Sequence, residues 1–364
     1  MYISIYNENQ EHIANLVDAS YDKTTRVYDN DTFSAEGVAS EDTKDGKIVV
    51  LNTDAGDYKY ACFVDGITPT DAKQKVKGLD FKSLWNTEVL LDYTPAGSFD
   101  GRLSSIFTKI KSLLFDTSDA TVQKIRVVVN IPTDTTDTTS LFGSLQGTYK
   151  IVNAYTFLKA YLKYYEYNIE SRYDVTQKAI VFDFVKNSRV VQIGLSDFIY
   201  ELTTTSSATN KTVATIKFDA ASGVARPSSI ATAYYYRTTD NSIVRGTIEG
   251  NYYDNSNVPI AGRVYPVVTK IYESEYLADA QHDAIYELAN SRYVDNVVID
   301  NNSTVDPIDF EEYPLYTKIE LYYGGRLYKT LPISEKTTKC DGKGTSTKIK
   351  LGFKKVLLTE IIKA

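Results

Sequence analysis

The chain has 364 residues, and 40 lysines and arginines stand against 47 aspartates and glutamates, which gives a formal charge of −7. This length predicts several modules rather than one core, and the negative charge argues against a protein built to grip nucleic acid phosphates. Cys62 and Cys340 are the only thiols, which excludes a disulfide framework and a cysteine-rich zinc site.

The N-terminal residues Met1–Asn7 alternate between apolar and polar side chains and then become polar, unlike a signal peptide. No apolar run in the chain is long enough to cross a bilayer. We therefore expect a soluble protein that is made in the cytosol and has no membrane span. Thirty tyrosines accompany a single tryptophan and a single methionine. Tyrosine is favoured on partly solvent-exposed β-sheet surfaces and in protein interfaces, so this composition predicts β structure and assembly with other protein chains.

Short alternating runs, separated by Asp, Asn and Gly turns, predict strands at the start of the chain. These strands are Tyr2–Tyr6, Arg26–Tyr28, Thr32–Ala35, Ile48–Leu51, Tyr58–Val64 and Gly66–Pro69. Their close spacing, with no helix between them, indicates a small barrel or sandwich. We expect residues 1–93 to form a first β-barrel module, completed by strands from 186–220.

The stretch Val76–Trp85 joins this module to the next part of the chain. Val76 ends an alternating run, Gly78 permits a backbone angle denied to other residues, and Asp80 can accept from the free N–H groups of a following helix. The pattern predicts a strand, a tight turn and a capped helix. Three apolar side chains are expected to pack where this helix meets the sheet: Leu79, Leu84 and Trp85.

Helical periodicity first appears after residue 93, and we assign residues 94–185 to an α+β insert. Its predicted elements are a helix through Leu103–Leu114, a strand over Ile125–Ile131, a mobile polar loop over 133–139, a helix over Ala154–Tyr165 and a hairpin over Glu166–Val185.

From Val190 the chain returns to alternating runs, which predict a second β-barrel module over 221–270, with later strands. Residues 271–364 are expected to form a C-terminal α+β module, with a helix over Ala278–Arg292 and glycine turns at Gly324-Gly325 and Gly342–Gly344. The predicted fold class is therefore α+β, mainly β, in a multidomain chain.

A search for catalytic patterns gives none. His12 and His282 are the only histidines, and they form no zinc-binding motif with each other or with the two cysteines. Gly143–Gly147 lacks the spacing of a nucleophile elbow, and a single tryptophan leaves few platforms for sugar stacking. We predict no catalytic residue, no cofactor and no metal site, and expect the protein not to be an enzyme.

Two patterns each leave two interpretations open. Five oxygen-bearing residues fall at EF-hand positions: Asp300, Asn302, Thr304, Asp306 and Glu311. Because Val305 replaces the required glycine, an acidic surface loop is favoured over a calcium site. The tyrosine clusters Tyr161–Tyr167, Tyr234–Tyr236 and Tyr252–Tyr253 could stack on saccharides or bases, or bury area between subunits, and subunit packing is favoured.

This order of modules resembles the tail-associated baseplate hub proteins of long-tailed phages, which are built like the hub of contractile-tailed phages. The chain is most similar to the short hubs of lactococcal-type siphophages. The residues that carry the resemblance are Val76-Lys77-Gly78-Leu79-Asp80 with Leu84 near the front, and Lys350–Thr359, including Gly352, near the end. These residues mark structural positions, and we expect Gly78→Val to damage folding or ring assembly.

The resemblance implies a homotrimer whose six quasi-equivalent barrels form a ring on the distal tail ring protein, at the tail tip of the virion. Tape-measure and receptor-binding proteins would lie nearby, and the hub would close the tail channel and open for DNA ejection. The DNA would pass without specific binding. Since the chain stops at Ala364, no peptidase or lysozyme extension is expected. The alternative is a cell-wall carbohydrate-binding or glycoside-cleaving surface protein.

Overall fold

The structure is a computed structural model, and it describes residues 1–69, 72–92, 97–114, 126–136, 149–186, 188–195, 199–203, 213–218, 233–237, 243–246, 269–274, 296–300, 309–341 and 344–353. Within these ranges strands predominate over helices, which confirms the predicted mainly β class. No helix in the described ranges is long and apolar enough to cross a membrane.

Residues 2–79 form a closed, six-stranded antiparallel barrel. Its strands are β1 (Tyr2–Tyr6), β2 (His12–Arg26), β3 (Thr32–Ala39), β4 (Ile48–Asn52), β5 (Tyr58–Pro69) and β6 (Gln74–Leu79). Around the barrel they are hydrogen-bonded in the order β1, β4, β5, β6, β3 and β2, and β2 pairs back onto β1. The strands described between 186 and 220 pair elsewhere, so the barrel closes without them.

The second strand is longer than the sequence predicts. β2 begins at His12 and ends at Arg26, so the predicted strand over 26–28 is wrong. Asp18 has a φ of +49°, and the pairing of β2 with β3 shifts register between Val17 and Ser20. Such a bulge interrupts the period of two along the sequence, which is why the alternation does not reveal this strand.

The next part of the chain combines helices with short strands. Its elements are a 3₁₀-helix (Phe81–Trp85), β7 (Glu88–Asp92), α1 (Phe99–Leu114), β8 (Arg126–Asn130), β9 (Tyr149–Asn153), α2 (Ala154–Tyr165), β10 (Asn168–Asp174) and β11 (Ala179–Val185). β7 pairs with β9, and β8 runs parallel to β11. β10 and β11 form the predicted hairpin, and α2 has the predicted bounds because Asn153 caps its first turn.

The helices pack against the outside of the barrel. All five residues of β4 are buried. Val49 and Leu51 lie in the barrel interior, whereas Ile48 and Val50 pack outside it with Trp85 and the helices. A strand covered on both faces needs a continuous apolar run, and this explains the sequence of β4.

The remaining strands form two further sheets. They are β12 (Val190–Gly194), β13 (Ile199–Thr203), β14 (Val213–Phe218), β15 (Ala233–Arg237), β16 (Ile243–Gly246), β17 (Thr269–Ser274), β18 (Asn296–Asp300), β19 (Lys318–Tyr323), β20 (Arg326–Asp341) and β21 (Gly344–Leu351). β14–β17 form a separate four-stranded sheet, and β12, β19, β20, β21, β18 and β13 are hydrogen-bonded in that order.

The second six-stranded sheet is continuous with the barrel. Residues 21–26 of β2 pair with residues 335–340 of β20. A separate core lies on this sheet and includes Ile299, Phe310, Ile333 and Ile349. The predicted helix over 278–292 and residues 301–308 lie outside the described residues.

Candidate functional site

Asp80 forms the centre of a buried ion network at one end of the barrel. Its carboxylate is fully buried, and Oδ1 accepts from the N–H of Lys82 at 3.0 Å, which caps the 3₁₀-helix as predicted. Oδ2 accepts from the N–H of Asp31 at 2.8 Å and lies 3.2 Å from Lys82 Nζ. Asp80 therefore holds the helix and the β2–β3 turn together.

The ammonium group of Lys82 completes the network. Nζ donates to Asp31 Oδ1 at 2.9 Å, to the carbonyl of Arg26 at 2.9 Å and to the carbonyl of Asp29 at 3.0 Å. Burial alone would lower the pKa of Lys82, but Asp31 and Asp80 raise it above its usual value, so the lysine stays charged.

The network carries one more negative charge than positive charge. Burial, and then the like charge of Asp80, raise the pKa of Asp31 to about 6, although Lys82 opposes this shift. The single positive charge of Lys82 cannot neutralise the negative charges of both carboxylates. Asp31 is the group that takes up a proton on acidification. The cluster therefore fixes the join between barrel and helix more firmly in mildly acidic solution.

Gly78 has a different role from the one predicted. It lies inside β6, paired with Phe33 and Val64, and its φ is not in the left-handed region. A Cβ built at Gly78 would approach Cys62 Sγ to 2.2 Å and Phe33 Cβ to 3.1 Å. Glycine is needed here because the buried Cys62 side chain lies against the backbone, and the prediction of a turn at this residue is wrong.

The other landmark residues are spread through the fold. Val76 is fully buried inside the barrel, and Leu84 packs on the core between barrel and helices. Leu79 is 41% exposed, so its predicted packing role is wrong, and the buried Phe81 occupies that place. Gly352 has a φ of +82° and donates its N–H to the carbonyl of Pro332 at 2.9 Å. The structure does not bring these residues together into one site.

A second ion cluster joins the barrel to the C-terminal sheet. Lys23 Nζ lies 2.6 Å from Glu311 Oε1, and Thr338 donates to Glu311 Oε2 at 2.6 Å. Lys336 Nζ donates to the carbonyls of Glu311 and Tyr313. Burial would raise the pKa of Glu311, but Lys23 and Lys336 lower it to about 2. Glu311 is thus a partly buried structural anion.

This cluster bears on the calcium interpretation. Both carboxylate oxygens of Glu311, the twelfth residue of the EF-hand-like pattern, already accept from Lys23 and Thr338. Three of the other four pattern residues, Asn302, Thr304 and Asp306, fall within residues 301–308, outside the described part of the chain, and Asp300 pairs with Lys348 at 3.9 Å. In the residues that the structure describes, no group of three or more Asp, Glu, His or Cys is placed to hold a metal ion.

The two ion clusters line one cleft of about 410 Å³. It lies between β2 and β5 of the barrel, the β10–β11 hairpin and the segment around Glu311. Its buried Thr25 Oγ1 and Tyr60 hydroxyl have no hydrogen-bond partner among the described residues. Buried groups of this kind usually bind ordered water. Positive and negative side chains are mixed along the walls, so the cleft favours no single class of charged ligand.

The polar tract after β8 is anchored in its described part. The carbonyls of Asp134 and Thr136 accept from the N–H groups of Asp100 and Phe99 at the start of α1. Asp134 Oδ2 accepts from the Tyr167 hydroxyl at 2.7 Å. Residues 133–136 form the predicted loop, and these bonds satisfy N–H groups at the N-terminus of α1. The mobility of the loop stays a prediction. Residues 137–139 lie outside the described part.

The first tyrosine cluster belongs to the core of a single chain. Tyr161 and Tyr167 are buried and stack on Phe99, with ring centroids 5.1 and 4.5 Å apart. The expectation that these rings pack between subunits is wrong, because both rings fill the space beside Phe99 in the core of a single chain. The hydroxyl of Tyr161 donates to the carbonyl of Phe99. Tyr252 and Tyr253 lie outside the described residues.

His12 shows no catalytic partner in the described ranges. Its Nε2 lies 3.0 Å from Asn15 Oδ1, and its ring packs edge-on to Tyr6. An amide oxygen orients an imidazole but does not activate it as a base, so the arrangement fits an exposed histidine at the start of β2. His282 lies outside the described residues.

Two exposed apolar surfaces stand out on the described part of the chain. On the β7–β9 ribbon, Leu90 and Ile151 are direct cross-strand neighbours, 53% and 67% exposed. At the tip of the β19–β20 hairpin, Tyr323, Leu327 and Tyr328 are exposed beside the Gly324-Gly325 turn. Clustered exposed apolar groups of this kind mark interaction surfaces more often than isolated ones do.

No protein-family model matches the chain, and no curated protein matches it. Solved structures do match over almost its whole length. The 43 kDa tail protein of prophage MuSo2 from Shewanella oneidensis has a TM-score of 0.53 and 13% identity, covering 96% of this chain and 98% of its own. The chain has a prophage tail-protein type of fold.

Two further tail proteins show the same likeness. A tail protein from Neisseria meningitidis has a TM-score of 0.51 and 8% identity, covering 97% of this chain and 96% of its own. Prophage tail protein gp18 from Listeria monocytogenes has a TM-score of 0.51 and 10% identity, covering 100% and 97%. This likeness confirms a phage tail type of fold, the coarser part of the resemblance found in the sequence.

Proposed function

We propose that the chain is a structural hub protein of a siphophage tail tip, of the short lactococcal type. It acts as a homotrimer that docks on the distal tail ring protein, close to the tape-measure and receptor-binding proteins. The trimer closes the tail channel and opens for DNA ejection. It is made in the host cytoplasm, has no enzymatic activity and holds no cofactor.

The observation that carries this proposal is the end-to-end match with tail proteins. The MuSo2 tail protein and this chain cover each other almost completely, at 96% and 98%. An insertion or a missing module would reduce one of these fractions. Fold alone does not fix function, so the proposal also depends on the surfaces that the chain offers to partners.

The module boundaries follow the same scheme. We propose a first barrel module over 1–93, an α+β insert over 94–185, a second barrel module over 221–270 with later strands, and a C-terminal module over 271–364. The second six-stranded sheet, with its own core around Ile299, Phe310 and Ile349, supports a second β unit per chain, and its strands lie within 190–203 and 296–351 rather than within 221–270.

The apolar surfaces supply candidate contacts between copies. Leu90 and Ile151 lie on a two-stranded ribbon, and Tyr323 and Leu327 lie on a distant hairpin, so one copy can present one surface to the other surface of the next. A head-to-tail contact between unlike surfaces generates a ring when its rotation closes. Three copies in such a ring would leave a central channel.

The carbohydrate-binding alternative receives no support from Tyr161 and Tyr167, because both rings are buried in the core. Negative-stain electron microscopy of the purified chain tests the proposal. We expect class averages of a three-fold ring with a central opening, alone or after addition of the distal tail ring protein. Particles that remain single and compact under both conditions would refute the hub assignment.

A further inference from the structure

The barrel and the C-terminal sheet share one uninterrupted outer face. Residues opposite each other in an antiparallel pair point to the same side of the sheet. Thr25, Lys336 and Ile349 lie in register across β2, β20 and β21. Tyr21, on the same side of β2 as Thr25, belongs to the barrel core, and Ile349 belongs to the second core. Both cores therefore lie on one side of the sheet.

The opposite side of β6, β3, β2, β20, β21 and β18 forms the surface that we call the lysine face. Alternation places six basic residues on it: Arg26, Lys75, Lys77, Lys339, Lys348 and Lys350. Neighbouring strands lie about 4.8 Å apart, so six strands give a surface roughly 24 Å wide. Serine and threonine fill most positions between the charges.

The lysine face differs in charge from the rest of the protein. Four acidic residues share it, namely Asp22, Glu36, Glu335 and Asp300, so its net charge is +2 although the whole chain carries −7. Three ion pairs neutralise half of the basic residues: Asp22 with Lys339, Arg26 with Glu335, and Asp300 with Lys348. Lys75, Lys77 and Lys350 have no ion-pair partner among the described residues.

The composition of this face also indicates its partner. Stable protein interfaces are anchored by buried aromatic and aliphatic side chains. The lysine face carries short hydroxyl side chains and charges instead, with Leu79 and the half-buried Val298 as exceptions. A polar, broad surface with separated cations fits the phosphates of a nucleic acid duplex, which are contacted without reading the sequence.

We propose that the lysine face is the part of the channel wall that contacts double-stranded DNA as it passes. This inference rests on the proposed function of a tail hub. The three unpaired lysines of each chain touch phosphates, and the three neutralised cations limit the attraction. Weak, sequence-independent contact of this kind centres the DNA without holding it.

The salt dependence of DNA binding tests the inference. Fluorescence anisotropy with a labelled random-sequence duplex is measured from low to moderate salt. Each phosphate contact contributes about −0.9 to the slope of log K against log salt, so three contacts per chain give about −8 for a trimer whose three copies all touch the duplex. The triple variant Lys75→Gln, Lys77→Gln, Lys350→Gln should bring this slope close to zero, a loss of about 0.9 for each lysine.

A matched control removes the same charge elsewhere. Lys47, Lys59 and Lys178 are also exposed and lie off the lysine face, and their triple glutamine variant should keep the slope. Equal slopes for the two triple variants would overturn the inference. It would also be overturned if the lysine-face variant lost the trimer, because the face would then be a contact between copies. A wild-type protein that never forms a ring would instead refute the proposed function.

Discussion

Replacing Gly78 with alanine should destabilise the barrel through a collision with Cys62. The added Cβ would come within 2.2 Å of Cys62 Sγ and within 3.1 Å of Phe33 Cβ, and both of these side chains are buried. Overpacking of a filled core costs about 1–3 kcal/mol. Alanine recovers roughly 0.5–1 kcal/mol of backbone entropy relative to glycine. We expect a net loss of about 1–2 kcal/mol in the free energy of unfolding.

Urea unfolding of a double-mutant cycle identifies the cause. Cys62→Ala removes the sulfur and, by itself, should cost about 1 kcal/mol for the cavity that it leaves. Because the alanine methyl at residue 78 can occupy this space, the double variant should be more stable than the sum of the single changes by about 1 kcal/mol or more. The barrel also contains a control: a Cβ at Gly66 meets nothing within 4 Å.

Gly66→Ala should therefore leave the unfolding free energy unchanged or raise it by up to about 1 kcal/mol. The steric reasoning would be refuted if Gly78→Ala were as stable as Gly66→Ala. It would equally be refuted if the effects of Gly78→Ala and Cys62→Ala were simply additive, since the collision requires both groups.

Three further predictions concern assembly and pH. Ile151→Asp should abolish the trimer in light scattering without altering the monomer's unfolding, whereas Val175→Asp, on the exposed turn of the β10–β11 hairpin, should assemble normally; trimers of both would exclude the ribbon as a contact. The raised pKa of Asp31, about 6 against 3.8, contributes stability that is present below pH 4 and is lost as the pH rises through 6. Asp31→Asn should remove up to about 3 kcal/mol of this change, and an unaltered pH profile in urea titrations would contradict the assignment. The pKa of Glu311, lowered to about 2, contributes stability that is present above pH 4.5 and is lost as the pH falls towards 2. Glu311→Gln leaves Lys23 buried without its anion and should cost about 3 kcal/mol at pH 7, measured by the same titration; a smaller loss than 1 kcal/mol would mean that the pair is solvated.

The sequence predicts local structure well where the apolar residues follow one regular pattern along a helix or strand. The helix over 154–165 has the expected bounds because apolar spacing and the Asn153 cap agree. The run Ile48–Leu51 is recognisable because a strand covered on both faces must be apolar throughout. β2 is missed because a bulge at Asp18 breaks its alternation.

Long-range partners explain most of what the sequence could not give. Lys82 meets Asp31 across 51 residues, and Lys23 meets Glu311 across 288 residues, so no local spacing marks either pair. Gly78 shows the same limit in packing, because the need for glycine comes from Cys62 on a neighbouring strand. Individual helices and strands were visible in the sequence, whereas the ion clusters and the lysine face require the strand register.

The central claim is that copies of this chain assemble into a three-fold hub, and native mass spectrometry tests it most directly. The purified chain has a mass of 40.8 kDa. The account predicts a dominant species of three times this mass, alone or together with the distal tail ring protein. A chain that stays at 40.8 kDa under both conditions would contradict it.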